Sequence, residues 1–426
     1  MKVYIENYGC SANLNNAEII KALLLKEKHS VVKNFKEADV IIINTCIVKS
    51  PTESRMWNRL LFFNSIKKRV IVTGCMPNVY AKEILKRFPR VVLLGTKSIF
   101  GINQAIKMKS GVFLEGDVIE KANVDKIRNN NIINIVQISE GCLGSCSYCI
   151  VKIAKGMLHS YKIESIVEDV RKSIKQGCRE IWITSQDSAS YGIDFNDNYE
   201  KKSKLPKLLK EITKIKGEFF VRVGMMNPNN VLPVLEELID VYHSKKIFKF
   251  IHIPVQSGND RILKLMNRNY SVRDFEFIVN KFRKEFTRIS ISTDVICGFP
   301  TETRDEFNDT LKLVKKIKPD VLNISKFGLR PYTIAAKLKQ LTTQEIKERS
   351  RILTNIFNRI SLEKNKEWVG WRGRAIVDEF SKKNKNFVAR NYCYKPIVIT
   401  KKVNKDLLGK IIDVRISSFT NSYLIS

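Results

Sequence analysis

The chain has 426 residues, 44% hydrophobic and 28% charged, which suits a folded protein of two or three domains and excludes a largely disordered chain. Basic residues exceed acidic ones by 32, which favours a polyanionic partner, with nucleic acid ahead of a membrane surface. A lysine-rich surface without a specific partner is the alternative interpretation.

The first residues, MKVYIENYGC, alternate like a strand and lack the apolar segment of a secretory signal. No apolar run approaches the roughly 18–20 residues that a membrane-spanning helix needs. We therefore predict a cytoplasmic protein with no membrane partner. In that compartment the nine cysteines suit metal or redox chemistry better than disulfides.

Residues 1–110 predict an open parallel α/β sheet. Four short apolar runs alternate with helical patterns, as strands buried on both faces do: residues 3–9, 39–46, 69–75 and 90–96. Cys10, Cys46 and Cys75 stand at the ends of the first three runs. Because the carboxyl ends of parallel strands share one sheet edge, we expect the three thiols to converge in a metal site. Each one alone is also compatible with an ordinary buried cysteine.

Residues 131–362 predict six further βα units, which indicate a partial (β/α)6 barrel with its chemistry at the carboxyl ends of the strands. Capping-box patterns at Thr303…Glu306 and Thr342…Glu345 mark two helix starts. The strand candidates are residues 134–142, 180–187, 219–226, 249–256, 288–298 and 321–328.

The loop after the first barrel strand holds Cys142, Cys146 and Cys149 in the spacing C-x3-C-x2-C. Structural zinc usually takes four ligands, and a Cys3His site through His159 is the alternative. A cubane iron–sulfur cluster on three thiolates instead leaves one iron open for another ligand. The missing fourth thiol therefore favours a cluster with an open iron.

Residues 366–426 predict a small β-barrel, because helical periodicity gives way to short β-prone segments. This region carries 13 basic and 5 acidic residues, interleaved with aromatic residues. Such a surface suits RNA, through phosphate attraction and base stacking. A generic β-domain with a solvated charged face is the alternative.

The chain resembles the radical S-adenosylmethionine (SAM) methylthiotransferases over essentially its full length. The stretch VRVGMMNP (221–228) resembles the archaeal and eukaryotic branch, which acts on N6-threonylcarbamoyladenosine at position 37 of tRNA. The other matching motifs are YGCSANLNNAE (8–18), INTCIVKSPTES (43–54), TGCMP (73–77), SEGCLGSCSYCIVKIAKG (139–156), TSQDSASYG (184–192), HIPVQSGND (252–260) and TDVICGFPTET (293–303).

The resemblance implies three domains: an N-terminal methylthiotransferase domain (1–110), a radical SAM barrel (131–362) and a C-terminal RNA-binding TRAM barrel (366–426). It implies two 4Fe–4S clusters, one that cleaves SAM to a radical and one that carries sulfur. The implied ligands are Cys142, Cys146 and Cys149 for the first cluster and Cys10, Cys46 and Cys75 for the second. The implied SAM contacts, each of which equally suits a strand-end cap, are Ser185, Gln186, Asp187, Gln256, Ser257 and Asp294.

The resemblance also implies a reaction and its partners. Two SAM molecules would be used to add a methylthio group to C2 of the adenine. The expected partners are the tRNA anticodon stem-loop and an electron donor of the reductase, ferredoxin or flavodoxin type. The alternatives are the same chemistry on N6-isopentenyladenosine in tRNA or on a ribosomal-protein aspartate, and, from another class, a non-catalytic zinc-stabilised RNA-binding protein.

Three positions depart from the family's usual pattern. Arg330-Pro331-Tyr332-Thr333 stands where Arg-Pro-Gly-Thr is common. Lys155-Gly156 replaces Arg-Gly and keeps the charge, whereas Tyr161 replaces an arginine and loses it. None of these departures affects a cysteine, but the first places a tyrosine where glycine is common in the loop after the last barrel strand.

Overall fold

The computed structural model describes residues 1–48, 50–381, 384–400 and 407–426, except for the side chains of Ser50 and Pro51. Residue 49 of the INTCIVKSPTES motif and residues 382–383 and 401–406 of the predicted C-terminal domain lie outside the described residues. Among the residues described, no helix combines the length and the apolar character needed to cross a membrane.

The N-terminal region is a parallel sheet with apolar cores on both faces. Val40 and Ile42 point into one core and Ile41 and Ile43 into the other, which explains the continuous apolar run. The elements are β1 (Lys2–Asn7), α1 (Ser11–Lys26), β2 (Ser30–Val31), β3 (Val40–Thr45), α2 (Ser50–Ser65), β4 (Arg69–Gly74), α3 (Cys75–Arg87), β5 (Val91–Leu94), α4 (Ile102–Ala105) and β6 (Gly111–Phe113).

The strand order of this sheet is β2-β1-β3-β4-β5-β6, and every neighbouring pair is parallel. The predicted open parallel sheet is therefore confirmed. The sequence did not reveal β2 and β6, because strands of two or three residues are too short to carry a recognisable pattern.

The middle of the chain alternates strands and helices. Its elements are β7 (Ile133–Gln137), β8 (Ser139–Glu140), α5 (Val151–Lys155), β9 (His159–Ser160), α6 (Ile163–Lys175), β10 (Glu180–Thr184), α7 (Leu205–Thr213), β11 (Phe220–Val223), α8 (Pro228–Val231), α9 (Leu235–Tyr242), β12 (Phe250–His252), α10 (Asp260–Leu265), α11 (Val272–Glu285), β13 (Ser290–Cys297), α12 (Arg304–Ile317), β14 (Val321–Lys326) and α13 (Thr343–Lys366).

Six of these strands are parallel and follow one another in chain order as two three-stranded sheets, β7-β10-β11 and β12-β13-β14. A bridge between Val221 of β11 and Ile247, which precedes β12, joins the two halves, and the Met226 amide donates across to the His252 carbonyl of β12 at 2.9 Å. In the bridge between Val221 and Ile247, the Val221 amide donates to the Lys246 carbonyl at 2.7 Å, and the Phe248 amide donates to the Val221 carbonyl at 3.0 Å. The predicted partial (β/α)6 barrel is confirmed, with this seam in its middle.

The two predicted helix starts are both present. Thr303 and Glu306 form a full capping box. At Thr342 the hydroxyl accepts from the Glu345 amide at 3.2 Å. The Glu345 carboxylate turns instead to Arg349, a stronger partner than a backbone amide because the pair is oppositely charged.

The C-terminal region is a curled six-stranded sheet with the order β18-β15-β16-β17-β20-β19. A register shift between Val377 and Glu379 marks a bulge in its longest strand. Its strands are β15 (Arg372–Ser381), β16 (Asn386–Asn391), β17 (Pro396–Ile399), β18 (Ile411–Arg415), β19 (Ser418–Phe419) and β20 (Leu424–Ile425). The predicted β fold is confirmed as a half-barrel; the three domain limits stay predictions.

The C-terminal sheet packs against the amino-terminal end of the barrel. The Tyr394 ring lies 4.8 Å from that of Phe248 and 5.3 Å from that of Phe250, between centroids. The Lys249 amide donates to the Tyr392 carbonyl at 2.7 Å. The opposite, carboxyl end of the barrel is therefore left for the site.

Candidate iron–sulfur and cofactor site

Three cysteines, which we call the edge thiols, lie at the carboxyl edge of the N-terminal sheet: Cys10, Cys46 and Cys75. They immediately precede α1, follow β3 and begin α3, and the strands before them are neighbours in the sheet. Gly9 has φ +107°, and a Cβ added there would lie 2.6 Å from the Cys46 Cβ. The chain before Cys10 thus passes directly against Cys46, and glycine makes that approach possible.

The edge thiols are close enough to affect one another electrostatically. Burial raises the pKa of the Cys75 thiol to about 12, and the charges of Cys10 and Cys46 add to it, while the Lys155 ammonium lowers it. Burial likewise raises the pKa of Cys46, with Cys10 adding and Lys155 opposing. The three thiols and Lys155 therefore form one electrostatic group.

Lys155 is a buried cation at the end of α5. Its Nζ lies 3.9 Å from Glu140 Oε1 and makes no hydrogen bond with any residue that the structure describes. The Glu140 carboxylate also pairs with Lys121 at 2.5 Å, and all three side chains are buried. Two cations against one carboxylate leave a net positive charge beside the edge thiols.

The other three cysteines, the loop thiols, line a cavity of about 270 Å³: Cys142, Cys146 and Cys149. Gly141 has φ +76°, and a Cβ there would lie 1.9 Å from the Met157 carbonyl oxygen, so the loop needs glycine at this position. A Cβ on Gly144 would lie 3.5 Å from Cys142 Sγ and 3.8 Å from Cys146 Sγ, on the thiol side of the loop.

The two thiol sets are connected by packing and by charge. Helix α5, which follows the loop thiols, packs on α3, which begins at Cys75. Arg330 lies within electrostatic reach of both sets. Burial raises the pKa of Cys149 to about 11 and that of Cys46 above its ordinary value, and in both cases the Arg330 charge opposes the shift. The guanidinium of Arg330 also pairs with Glu53 of α2.

A further contact joins the sheet edge to the barrel. The hydroxyls of Ser11, at the start of α1, and Thr184, at the end of β10, lie 2.8 Å apart. The carboxyl edges of the N-terminal sheet and of the barrel therefore meet, a relation between domains that the sequence motifs alone did not indicate.

The polar groups around the edge thiols suit an additional polar ligand. Several buried atoms there have no hydrogen-bond partner in the described part of the chain: Asn13 Oδ1, Asn44 Oδ1, Thr73 Oγ1, Glu140 Oε1 and Lys155 Nζ. Native structures leave few such atoms without a partner. Among the described residues, no three His, Cys, Asp or Glu side chains are arranged to share one metal ion. A cubane cluster needs a wider set, since each thiolate binds a different iron; the thiols and the unpaired atoms fit such a group.

Asp187, an expected SAM contact, is held firmly by its own chain. Its Oδ1 accepts from the amides of Ala189 at 3.1 Å and Asn227 at 2.9 Å, and its Oδ2 accepts from Asn230 Nδ2 at 2.7 Å. Burial, followed by the Asp187 charge, raises the pKa of Cys142 to about 12, so this carboxylate faces the loop thiols. Its capping role is observed, whereas its contact with a cofactor stays a prediction.

The other expected SAM contacts lie at the same end of the barrel. The Asp294 carboxylate lies 3.0 Å from His252 Nε2 and accepts from Asn323 Nδ2 at 2.6 Å. Gln256 has φ +69°, an uncommon conformation for a residue other than glycine. All five of these expected contacts follow or belong to the strands β10, β12 and β13: Ser185, Gln186, Gln256, Ser257 and Asp294.

Sequence reasoning missed the charged groups between the two thiol sets. Lys155 and Arg330 lay in motifs that depart from the family pattern, so a signal for them existed. Lys121 had none, because it lies between the predicted domains. His159, the proposed fourth zinc ligand, is exposed in β9, and its ring contacts Tyr161 at 6.2 Å between centroids.

Comparison with known proteins gives two family matches: the description "Uncharacterized protein family UPF0004" over residues 2–95 and the radical SAM superfamily over residues 136–314. The "Probable threonylcarbamoyladenosine tRNA methylthiotransferase" of Pyrococcus horikoshii is 41% identical and covers 100% of this chain and 99% of its own length. The Homo sapiens threonylcarbamoyladenosine tRNA methylthiotransferase is 34% identical over 97% of this chain and 72% of its own length. The chain belongs to the threonylcarbamoyladenosine tRNA methylthiotransferase family.

Like the rest of this methylthiotransferase family, the chain is a radical SAM enzyme. Its fold is similar to that of the radical SAM methyltransferase TsrM from Kitasatospora setae, solved with cobalamin and a [4Fe-4S] cluster. The TM-score is 0.57 at 15% identity, and the match covers 79% of this chain and 77% of that one. At this identity the likeness concerns the fold alone.

Proposed function

We propose that this methylthiotransferase adds a methylthio group to C2 of the adenine in N6-threonylcarbamoyladenosine at position 37 of tRNA, using two SAM molecules. The observation that carries the proposal is the presence of two three-thiol sets joined by the packing of α5 on α3, with Arg330 within electrostatic reach of Cys46 in one set and Cys149 in the other. The substrate follows the names of the Pyrococcus and human relatives. The formal charge of +32 supports a nucleic-acid substrate.

The two thiol sets would each hold a 4Fe–4S cluster. C2 of adenine carries no acidic proton, so an acid–base pair is unsuitable; a bound cluster with SAM supplies radical chemistry instead. The edge thiols would hold the cluster that carries sulfur, beside the positive charge of Lys155, which suits an anionic sulfur ligand. Asp187 would contact the bound SAM, since three donors fix its carboxylate at the carboxyl end of the barrel.

The proposal includes partners and a location. The anticodon stem-loop of tRNA would reach the carboxyl end of the barrel, and an electron donor of the reductase, ferredoxin or flavodoxin type would reduce the clusters in the cytoplasm. The C-terminal half-barrel would bind RNA as a TRAM domain. Arg372 and Arg415 support this role, because they lie directly opposite each other on β15 and β18, both exposed, and like charges in that position favour an anion between them.

Mass spectrometry of tRNA nucleosides tests the assignment. A strain that lacks the gene should lose 2-methylthio-N6-threonylcarbamoyladenosine and accumulate its precursor. Complementation with the wild-type gene should restore the product, whereas the Cys142→Ala gene should not. Unchanged product in the deletion strain would refute the proposal, and loss of a methylthio-isopentenyl nucleoside or of a methylthio-aspartate would assign a sister reaction.

Variants in the two thiol sets test the division of labour. Cys142→Ala should abolish reductive cleavage of SAM, because it removes a ligand of the cluster that binds SAM. Cys46→Ala should keep SAM cleavage and abolish sulfur insertion. Equal loss of cleavage in both purified variants would contradict two separate roles.

Iron analysis distinguishes the enzyme from a zinc-stabilised RNA-binding protein. Anaerobic reconstitution should give about eight irons per chain and brown protein. The triple variant Cys10→Ala/Cys46→Ala/Cys75→Ala should retain about four. Zinc without iron in protein purified anaerobically would support the non-catalytic alternative.

A further inference from the structure

Tyr332 has a backbone conformation that tyrosine rarely adopts. Its φ is +64°, in the left-handed region that favours glycine. This chain keeps a large side chain here despite the conformational strain. Such strain persists only where the surroundings hold it and is often associated with function.

The loop that carries Tyr332 is anchored at both ends. Before it, Arg330 Nη2 donates to the Val48 carbonyl at 2.9 Å, and the Thr333 hydroxyl donates to the Arg330 carbonyl at 2.8 Å. After it, the Ala335 amide donates to the carbonyl of Ser147, between two loop thiols, at 2.8 Å. The anchors therefore fix the position of Tyr332 relative to the thiols.

The Tyr332 side chain points away from its own protein. It is 71% exposed, and the described residues give its ring no aromatic partner and its hydroxyl no hydrogen bond. It nevertheless lines the 270 Å³ cavity of the loop thiols, together with Ile334, which is 63% exposed, and Lys152. An exposed aromatic ring on an anchored backbone thus stands at the mouth of the candidate radical site.

We propose that Tyr332 stacks on an unpaired base that flanks the modified nucleotide of the anticodon loop. This inference rests on the proposed tRNA substrate. An enzyme that acts on a base must unstack it from its neighbours, and a neighbour left without a partner then needs a new stacking surface. A tyrosine whose backbone is already fixed supplies that surface with less ordering of the loop, and Lys152 on the same wall attracts phosphate.

Charge favours a nucleic acid over a protein on this face. The chain carries a formal charge of +32, and the cavity mouth combines apolar groups with the Lys152 ammonium. Aromatic rings among basic residues are typical of surfaces that bind single-stranded nucleic acid. Docking of the electron-donor protein here is the outcome that would contradict the inference.

A binding assay tests the inference. Fluorescence anisotropy measures the affinity for a 17-nucleotide anticodon stem-loop that carries N6-threonylcarbamoyladenosine at position 37. Tyr332→Gly and Tyr332→Ala should weaken binding by about 5- to 100-fold, the loss expected for one stacked base. Tyr332→Phe should stay within about twofold, because the ring is kept. Phe277→Ala is the matched control: it removes a 50%-exposed ring on α11 and should leave affinity unchanged.

Two further measurements separate the possible failures. Tyr332→Gly should not lower Tm, since glycine accepts the left-handed conformation, so weaker binding would not reflect unfolding. The fluorescent base 2-aminopurine is placed at position 36 in one stem-loop and at position 38 in another. The wild-type protein should quench the fluorescence of one of the two stem-loops, and Tyr332→Gly should quench neither. Wild-type protein that binds the stem-loop no better than an unrelated hairpin would refute the proposed substrate. The stacking role would be refuted if Tyr332→Gly and Tyr332→Ala bound the stem-loop as tightly as the wild type does. It would also be refuted if these variants were defective only in reduction by flavodoxin.

Discussion

At the scale of single residues, Lys155 combines burial, a positive charge and no hydrogen bond. Burial by itself lowers the pKa of Lys155, but Cys75, Glu140 and the other edge thiols raise it further than burial lowers it. The ammonium is therefore a fixed positive charge. We expect it to favour thiolates over thiols and the reduced state of a cluster over the oxidised one.

Lys155→Met tests this expectation. Removal of one charge at a distance of several ångströms changes the energy by about 1–3 kcal/mol, equivalent to roughly 40–130 mV for one electron. The potential of the cluster on the edge thiols should fall by that amount, measured by redox titration followed by electron paramagnetic resonance. Lys155→Arg should keep the potential within about 30 mV. An unchanged potential in Lys155→Met would mean that the charge does not act on this cluster.

Gly141 is the residue on which the shape of the thiol loop depends. Gly141→Ala should prevent cluster retention, because its Cβ would overlap the Met157 carbonyl at 1.9 Å and the φ of +76° disfavours alanine. Gly177→Ala is the control: its φ is +96°, but no atom lies within 4 Å of the added Cβ. Both variants are made in the Cys10→Ala/Cys46→Ala/Cys75→Ala protein, so that the iron measured per chain comes from the loop thiols alone. Gly141→Ala should lose this iron, and Gly177→Ala should keep it.

At the scale of secondary-structure elements, Arg349 fixes α13 to the barrel. Its guanidinium pairs with Glu302 at 2.6 Å and with Glu345 at 2.5 Å, and its side chain is only 4% exposed. Burial raises the pKa of Glu302, and the Arg349 hydrogen bond and charge oppose that shift. Arg349 is therefore the main group that favours the charged form of this buried carboxylate, with a smaller contribution from the Gly298 amide.

Arg349→Met should lower the free energy of unfolding by about 3 kcal/mol, because it leaves Glu302 buried without its partner. Arg304→Met removes an exposed cation 3.6 Å from Glu348 and should cost less than about 1 kcal/mol. Urea denaturation of both variants measures the difference. Equal midpoints would show that the buried pair contributes no more than the exposed one.

The sequence predicted which elements form but not how they face each other. The apolar run 39–46 and the C-x3-C-x2-C loop are local patterns, so both the strand and the loop could be read directly. The predicted strand 249–256 was longer than the continuous ladder, which covers only Phe250–His252; beyond it the chain stays buried and pairs again at an isolated bridge between Gln256 and Val295. The approach of Lys155 and Arg330 to the edge thiols depends on tertiary packing, which no local pattern encodes.

At the scale of the whole molecule, the C-terminal sheet closes the amino end of the barrel through buried charges. Asp378 of β15 is paired with Arg390 at 3.1 Å, and Glu180 of β10 is fully buried near both. Burial, together with the Asp378 charge, raises the pKa of Glu180 from 4.5 to about 8. Because burial also raises the pKa of Asp378 and the two carboxyl groups titrate together, the pair holds a proton in the folded protein at neutral pH.

This protonation makes stability dependent on pH. Between pH 4.5 and about 8 the folded protein keeps a proton that the unfolded chain has lost. Stability should therefore fall as pH rises through that window, by up to about 1.4 kcal/mol per pH unit from this group. Glu180→Gln should remove this slope, so that the variant gains stability over the wild type from pH 5 to pH 8 in urea denaturation. Glu218→Gln, an exposed carboxylate paired with Arg374, should follow the wild type.

Deletion of residues 366–426 is not a clean test of RNA binding, because it would expose the barrel residues under Tyr394. Arg372→Gln/Arg415→Gln is a better one, since both arginines are exposed. The slope of log K against log salt for tRNA should decrease in magnitude by about 1.5–2, as expected for two lost phosphate contacts. Arg171→Gln, on the outer helix α6, is the control; an unchanged slope in the double variant would exclude the pair from the interface.

The seam between the two halves of the barrel has a kinetic consequence. The amides of Val221 and Phe248 form the β-bridge of this seam, which the Met226 amide also crosses to the His252 carbonyl, whereas the strands β10 and β13 lie within continuous ladders. Separation of the halves would therefore expose these two amides to solvent without disturbing either ladder. Hydrogen–deuterium exchange at Val221 and Phe248 thus measures how often the barrel opens, and slower exchange on addition of tRNA would identify the closed barrel as the form that holds RNA.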